Sequence, residues 1–211
     1  MTGHTLAAIR HALVELNEEQ ALALIQSAVD AGIPAADVLK ACQEGMVEVG
    51  ARFECGDYFV SELVVSGEIF RQAAAILRPH LKPGDTGSGG RIVFGTVKGD
   101  IHDLGKNIVV LMLESAGFEV LDLGVDVPPA RFVAALEESG ARVLGLSGLL
   151  TFAFESMRQT VAALAQAGLR ERVKIMIGGG PVDAKVCATV GADGWGANAN
   201  VAVRLAREWL A

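Results

Sequence analysis

The stretch "KPGDTGSGGRIVFGTV", Lys82 to Val97, divides the chain into two kinds of sequence. Lys82 to Gly90 combines glycine, serine and proline with no other apolar residue, the composition of a flexible linker and an expected domain boundary. Upstream, residues 1–81 have helical periodicity and no convincing strand. Asn17 with Gln20 three residues later reads as a helix start, and Gly32 with Pro34 as punctuation between helices. The pattern predicts helices near 4–15, 18–31, 34–53 and 60–80. Helices with single apolar stripes cannot bury them alone, so a four-helix bundle is expected.

Downstream of the linker the period changes. "RIVFGTV", "FEVLDLG", "ARVLGLS", "VKIMIGG" and the weaker "ADGW" are short β-type runs, each followed by a helix-like stretch. Pro128 and Pro129 stand where a helix should start, and Gly117, Gly140, Gly168 and Gly191 where helices should stop. Such alternation predicts a parallel sheet covered on both faces, here a five-stranded, doubly wound, flavodoxin/Rossmann-like domain over residues 91–211. Ligands of such sheets bind beyond the carboxyl ends of the strands, where the strand order reverses. The unusual loops all fall there: "KGDIHDLG" after the first strand, "SGLLT" after the third and "GGGP" after the fourth. In a 2-1-3-4-5 order those strands are neighbours, which gathers the loops around one crevice.

Composition narrows the function. A chain of 211 residues, 51% of them apolar, can bury a substantial core. Its longest strongly apolar region, roughly Val143 to Phe154, is interrupted by Gly145, Ser147 and Gly148 and is shorter than the ~20 residues of a membrane span. The N-terminus lacks the pattern of a secretion signal, which predicts a cytoplasmic location. Cys42, Cys55 and Cys187 have no metal-ligand spacing and are expected to be thiols. A net charge of -7 without a basic run argues against a nucleic-acid partner.

His102 is the most informative single residue. It can be an ordinary loop histidine, or a metal ligand whose second ring nitrogen is held by Asp100. His4, His11 and His80 lie in the helical half without shared spacing and read as surface or capping residues. One protein histidine makes a poor metal cage but a good axial ligand if a macrocycle supplies the equatorial donors, which points to a tetrapyrrole-like cofactor.

Asp100-Ile101-His102-Asp103-Leu104-Gly105, followed in order by Ser147-Gly148-Leu149 and by Gly178-Gly179, resembles the Asp-x-His-x-x-Gly pattern of cobalamin-binding domains. "GMVEVGARFECGDYFVSELVVSGEIF", Gly45 to Phe70, is similar to the helical cap of the same proteins. The resemblance spans nearly the whole chain and is strongest to the corrinoid proteins of anaerobic methyltransferase systems and to the cobalamin module of methionine synthase.

The resemblance implies that His102 replaces the cofactor's benzimidazole as lower cobalt ligand, the base-off, His-on mode. It also implies that Asp100 bonds the other ring nitrogen and Ser147 bonds Asp100. Ile101 and Asp103 belong to the same motif. Gly105, Ser147, Leu149 and Gly178 to Gly180 would line a slot for the displaced nucleotide tail, with Thr151 as a hydrogen-bond partner. Leu149 and Leu150 can equally be read as core. Phe53 and Val60 would cover the methyl-bearing face, although Phe53 also reads as bundle core. Val60-Ser61 stands where relatives commonly have Leu-Pro, and Trp195 where many have tyrosine.

The implied role is a methyl carrier with no catalytic residue of its own. It would serve a substrate:corrinoid methyltransferase and a second methyltransferase acting on tetrahydrofolate or coenzyme M, with a reductive activator as a further partner. A cobalamin-dependent sensor is the alternative. The small subunit of a carbon-skeleton mutase and a flavin-binding flavodoxin are weaker rivals. The mutase subunit usually lacks this helical region, and a flavin gives Asp100 and His102 no task.

Overall fold

The computed structural model describes residues 2–81 and 89–211; most of the expected linker, residues 82–88, lies outside the described residues. The chain divides into two compact units, one helical and one built on a sheet.

In the helical unit, α1 (Thr2–Val14), α2 (Glu18–Asp30), α3 (Ala35–Cys55) and α4 (Val60–Leu77) are followed by a 3-10 turn, Arg78–His80. The local signals explain their limits. Asn17 caps α2 by accepting from the Gln20 N–H at 3.1 Å, and Pro34 stands at the start of α3. The third helix runs two residues beyond the expected 53, because the left-handed position that ends it, at φ 82°, is Gly56. Near the end of the fourth helix, Pro79 has no N–H to continue the α ladder, so the expected helix to residue 80 finishes as a 3-10 turn.

α1 packs on α2 and α3, and α4 on α2 and α3, enclosing Ile9, Leu13, Ile25, Met46, Ile69 and Leu77. α1 and α3 approach closely at Gly45, where a β-carbon would come within 3.2 Å of Leu13. The α3–α4 turn is tied to the end of α1 by the Tyr58 hydroxyl, which donates to the Val14 carbonyl at 2.6 Å. Arg52 in turn reaches both Tyr58 and Glu15.

The second unit contains β1 (Arg91–Thr96), α5 (Leu104–Ser115), β2 (Glu119–Asp122), α6 (Pro129–Ser139), β3 (Val143–Ser147), α7 (Ala153–Gln166), β4 (Lys174–Gly178), α8 (Ala184–Val190), β5 (Gly194–Gly196) and α9 (Ala199–Leu210). All strand pairs are parallel and the order is β2-β1-β3-β4-β5, as the motif argument requires. The glycines at 117, 140, 168 and 191 all have positive φ and end helices, and Pro129 opens α6.

β1, β3 and β4 are buried along most of their length, around Phe132, Leu144, Leu146, Met157 and Ile175. Gly145 of β3 makes room for a neighbour: a β-carbon there would fall 2.1 Å from the Phe94 ring of β1. The register sets the geometry of the edge. Thr96 pairs with Ser147, Ser147 with Gly178 and Gly178 with Gly196, so four strands end in one row. No helix among the described residues is long and apolar enough to cross a membrane.

Candidate functional site

Three loops leave that row next to one another. After β1 the chain turns sharply at Gly99, at φ 86°, with the Asp100 N–H donating to the Val97 carbonyl at 3.1 Å. This turn puts the Asp100 carboxylate under the β3–α7 loop, where it is fully buried. Its Oδ1 accepts from the His102 N–H at 3.0 Å and from His102 Nδ1 at 2.6 Å. Its Oδ2 accepts from the backbone N–H groups of Leu149, at 2.7 Å, and Leu150, at 3.1 Å.

Burial alone would push the Asp100 carboxyl up. The bonds from His102 and from the two leucine amides outweigh it and hold the group down at about 2. Asp100 is therefore ionised at neutral pH and can only accept, so the proton in the 2.6 Å contact belongs to His102 Nδ1. In the neutral ring, Nε2 keeps its lone pair. The His102 side chain is 48% exposed, so this nitrogen is orientationally held yet accessible, the arrangement found where a carboxylate supports a metal-bound histidine.

The structure corrects one expectation about this group. Ser147 does not hydrogen-bond Asp100, because the two backbone amides of Leu149 and Leu150 occupy Oδ2. The resemblance implied that the loop after β3 meets the aspartate, but it could not distinguish a side-chain donor from a main-chain one. Ser147 itself is half-buried at the end of β3. Leu149 and Leu150, open in sequence to a core reading, are exposed at 43% and 38%. With Ile101, Leu104, Val125 and Phe152 they form an exposed apolar set on the carboxyl-edge loops and the first turn of α5. Thr151 is also exposed there, and Asp103 precedes α5, its carbonyl accepting from the Asn107 N–H at 2.7 Å.

The glycines separate into two groups. At Gly179, φ is 142° and a β-carbon would sit 1.9 Å from the Gly148 carbonyl oxygen, so the fold itself demands glycine. A β-carbon at Gly180 would meet Leu149 at 3.3 Å. At Gly105, by contrast, a β-carbon would meet nothing within 4 Å, and at Gly178 only the Gly196 carbonyl at 3.5 Å. Internal packing therefore does not require glycine at 105 or 178. Their smoothness is available to a bound group.

The remaining candidates have these surroundings within their own units. Phe53 is half-buried near the end of α3 and Val60 is exposed at the start of α4, both in the helical unit, and Trp195 is half-buried on β5. His4, His11 and His80 are exposed. The cysteines are free, and burial pushes the Cys42 thiol up to about 12. Among the described residues no three His, Cys, Asp or Glu side chains gather as a metal cage.

The sequence reading missed three polar elements around the site. Lys106 is almost fully buried and pairs with Asp122 and, at 2.7 Å, with Asn107. Thr96 and Asp126 bond the His102 loop directly. Of these, only Asp126, between Gly124 and Pro128 in a short βα connection, carried a turn signal in the sequence.

Comparison with known proteins gives the family. Two family profiles match, each described as a B12 binding domain, one over residues 90–204 and the other over residues 5–78. A dimethylamine corrinoid protein of Methanosarcina acetivorans is 38% identical over 97% of this chain and 95% of its own. A crystal structure of a cobalamin-binding protein from Desulfitobacterium hafniense is 42% identical, covers 97% of this chain and 98% of that one, and has a TM-score of 0.81. The methanol:cobalamin methyltransferase complex of Methanosarcina barkeri contains a chain 25% identical, with a TM-score of 0.85 over 98% of this chain and 80% of that one. With a helical region, a five-stranded parallel sheet and a histidine loop at its carboxyl edge, the chain belongs to the B12-binding corrinoid proteins of methyltransferase systems.

Proposed function

We propose that the protein binds a corrinoid with His102 Nε2 as the lower cobalt ligand and carries a methyl group between two methyltransferases. The observation that carries this reading is the buried, ionised Asp100, which fixes the His102 tautomer and leaves Nε2 as its one available ring nitrogen. The residues fit a macrocyclic metal group. Among the described residues there is one oriented nitrogen rather than a cage, with exposed apolar side chains beside it and glycines that the fold leaves unpacked. When bound, the corrinoid supplies the cobalt centre that accepts and releases the methyl group.

The protein's part is ligation, shielding and docking. Asp100 keeps the imidazole in one tautomer and one orientation. Ile101, Leu104, Leu149 and Leu150 offer apolar contact. Gly105, Ser147, Thr151 and Gly178 to Gly180 would take the displaced nucleotide tail. Phe53 and Val60, by their likeness to cap residues, would exclude water from the methyl-bearing face. We assign residues 1–81 to a helical cap, 82–90 to a linker and 91–211 to the cofactor domain. The relatives named for dimethylamine and methanol systems support a substrate:corrinoid methyltransferase as one partner. The second would act on tetrahydrofolate or coenzyme M, with a reductive activator to restore the cofactor. A cytoplasmic location suits such partners.

Spectrophotometric titration with hydroxocobalamin and methylcobalamin tests the reading. The wild type should take up one equivalent with a histidine-coordinated spectrum, and His102→Ala should shift that spectrum to a base-off or five-coordinate form. Failure of the folded wild type to bind either corrinoid would refute it.

A further inference from the structure

The residue offered as cobalt ligand is held at every polar group it has except Nε2. Its N–H donates to Asp100 Oδ1 at 3.0 Å, its Nδ1 to the same oxygen at 2.6 Å, and its carbonyl accepts from the Thr96 hydroxyl at 3.0 Å. Thr96 is the last residue of β1 and is fully buried. The backbone on which Asp100 stands is held from another direction. Asp126, in the β2–α6 loop, donates its N–H to the Asp100 carbonyl at 2.9 Å and accepts from the Gly99 N–H through Oδ1 at 2.7 Å. Asp126 does this at φ 54°, a left-handed conformation uncommon for a residue with a side chain but better tolerated by aspartate than by most.

We infer that Thr96 and Asp126 are positioning residues for His102, which fix the direction of its Nε2 without touching the bound group. The inference rests on the proposed role of His102 as ligand. A residue whose own N–H and own carbonyl are both held has its two flanking peptide units fixed, and little freedom left in φ and ψ. With Nδ1 also engaged, the ring plane is set before any ligand arrives. Thr96 acts on the carbonyl of His102 itself. Asp126 acts one step back, on the Lys98–Gly99 and Asp100–Ile101 peptide groups on either side of the turn that carries Asp100. Neither residue lies in the Asp-x-His-x-x-Gly pattern, and they come from two different strand ends. Preorganisation of this kind matters because a ligand nitrogen must be held within ~0.5 Å of its working position.

The test compares Thr96→Val with Thr96→Ser, and Asp126→Gly with Asp126→Asn. Valine keeps threonine's shape without the hydroxyl, and serine restores it. Glycine accepts the left-handed backbone without the carboxylate, and asparagine restores an acceptor there. Two readouts are used on protein with an unchanged thermal unfolding profile. In the ligand-free protein, proton NMR follows the downfield, slowly exchanging Nδ1–H of His102. In protein loaded with cob(II)alamin, electron paramagnetic resonance follows the nitrogen superhyperfine splitting that reports histidine coordination.

Thr96→Val and Asp126→Gly should lose the protected Nδ1–H and lower the histidine-coordinated fraction several-fold, while Thr96→Ser and Asp126→Asn should recover both. Wild-type signals in Thr96→Val and Asp126→Gly would overturn the inference. So would an equal loss in Thr96→Ser and Thr96→Val, which would mean that side-chain shape matters and the hydroxyl does not. If Thr96→Val does not fold, the exposed Asp126 pair decides alone. A wild type that shows the protected proton but takes up no cob(II)alamin would defeat the cofactor reading, and the NMR comparison would still decide the clamp.

Discussion

The loops at the carboxyl edge of the sheet and the first turns of α4 both expose apolar side chains, but they hold them differently. Around Asp100 the main chain of three loops is fastened by hydrogen bonds, so that Ile101, Leu149 and Leu150 project from a backbone with little freedom. At α4, Phe59, Val60, Val64 and Val65 project from an ordinary helix start, fastened locally by Glu62 accepting from the Phe59 N–H at 2.8 Å. The first region specifies a position for one atom. The second specifies only a surface, and can exchange one apolar side chain for another at little cost. Ser61 adds to the same local fastening, donating to Glu62 at 3.0 Å.

Substitutions should separate these two modes. The largest effect is expected at Gly179→Ala, where a β-carbon would press into the Gly148 carbonyl at a backbone angle that alanine avoids. It should lower unfolding free energy by roughly 3 kcal/mol in chemical denaturation. His102→Ala should weaken cobalamin binding by about 10- to 100-fold in a titration, with little change in the stability of the ligand-free protein.

The pH dependence of stability probes the same loop. The Asp100 carboxyl is held at about 2, below its unfolded value near ~4, so its contribution is complete above the unfolded value and is lost as pH falls through the folded one. Acid titration of the ligand-free protein should therefore show a loss of roughly 2 kcal/mol between about pH 4 and pH 2 that Asp100→Asn lacks.

Gly105→Ala should split two readouts: helix α5 gains at most ~1 kcal/mol in the ligand-free protein, while corrinoid affinity falls if the position lines the nucleotide tail. Smallest of all, Val64→Ser should leave stability within ~0.5 kcal/mol, because the side chain is already 46% exposed. A loss of several kcal/mol there would mean that the α4 start is a structural element after all.

What was legible in the sequence follows from the same distinction. Helix ends were legible where glycine must take a left-handed angle, as at Gly140 and Gly191, because that requirement is local. The meeting of three loops was legible because parallel strands in a 2-1-3-4-5 order leave few alternatives, and the row Thr96, Ser147, Gly178, Gly196 follows from it. The Asp100–His102 contact was legible as a motif. The partners of Asp100 on its other oxygen were not. Main-chain amides carry no residue identity, so Leu149 and Leu150 donate where Ser147 was expected. Thr96 and Asp126 were hidden for another reason: one looks like an ordinary β-branched strand residue and the other like a turn residue, and only the folded register brings them to His102.

The sheet ends in short strands on both sides: β2 has four residues with Glu119 and Asp122 at its ends, and β5 has three. Glu119 is paired with Arg91 and Asp122 with Lys106. An open strand edge is a template for joining to another chain, and shortness and charge are the usual ways of making that unprofitable. The protein can thus display apolar side chains at the top of its sheet while its flanks resist strand-to-strand association. Colloidal stability is built into the edges, which leaves the upper surface free to stay greasy.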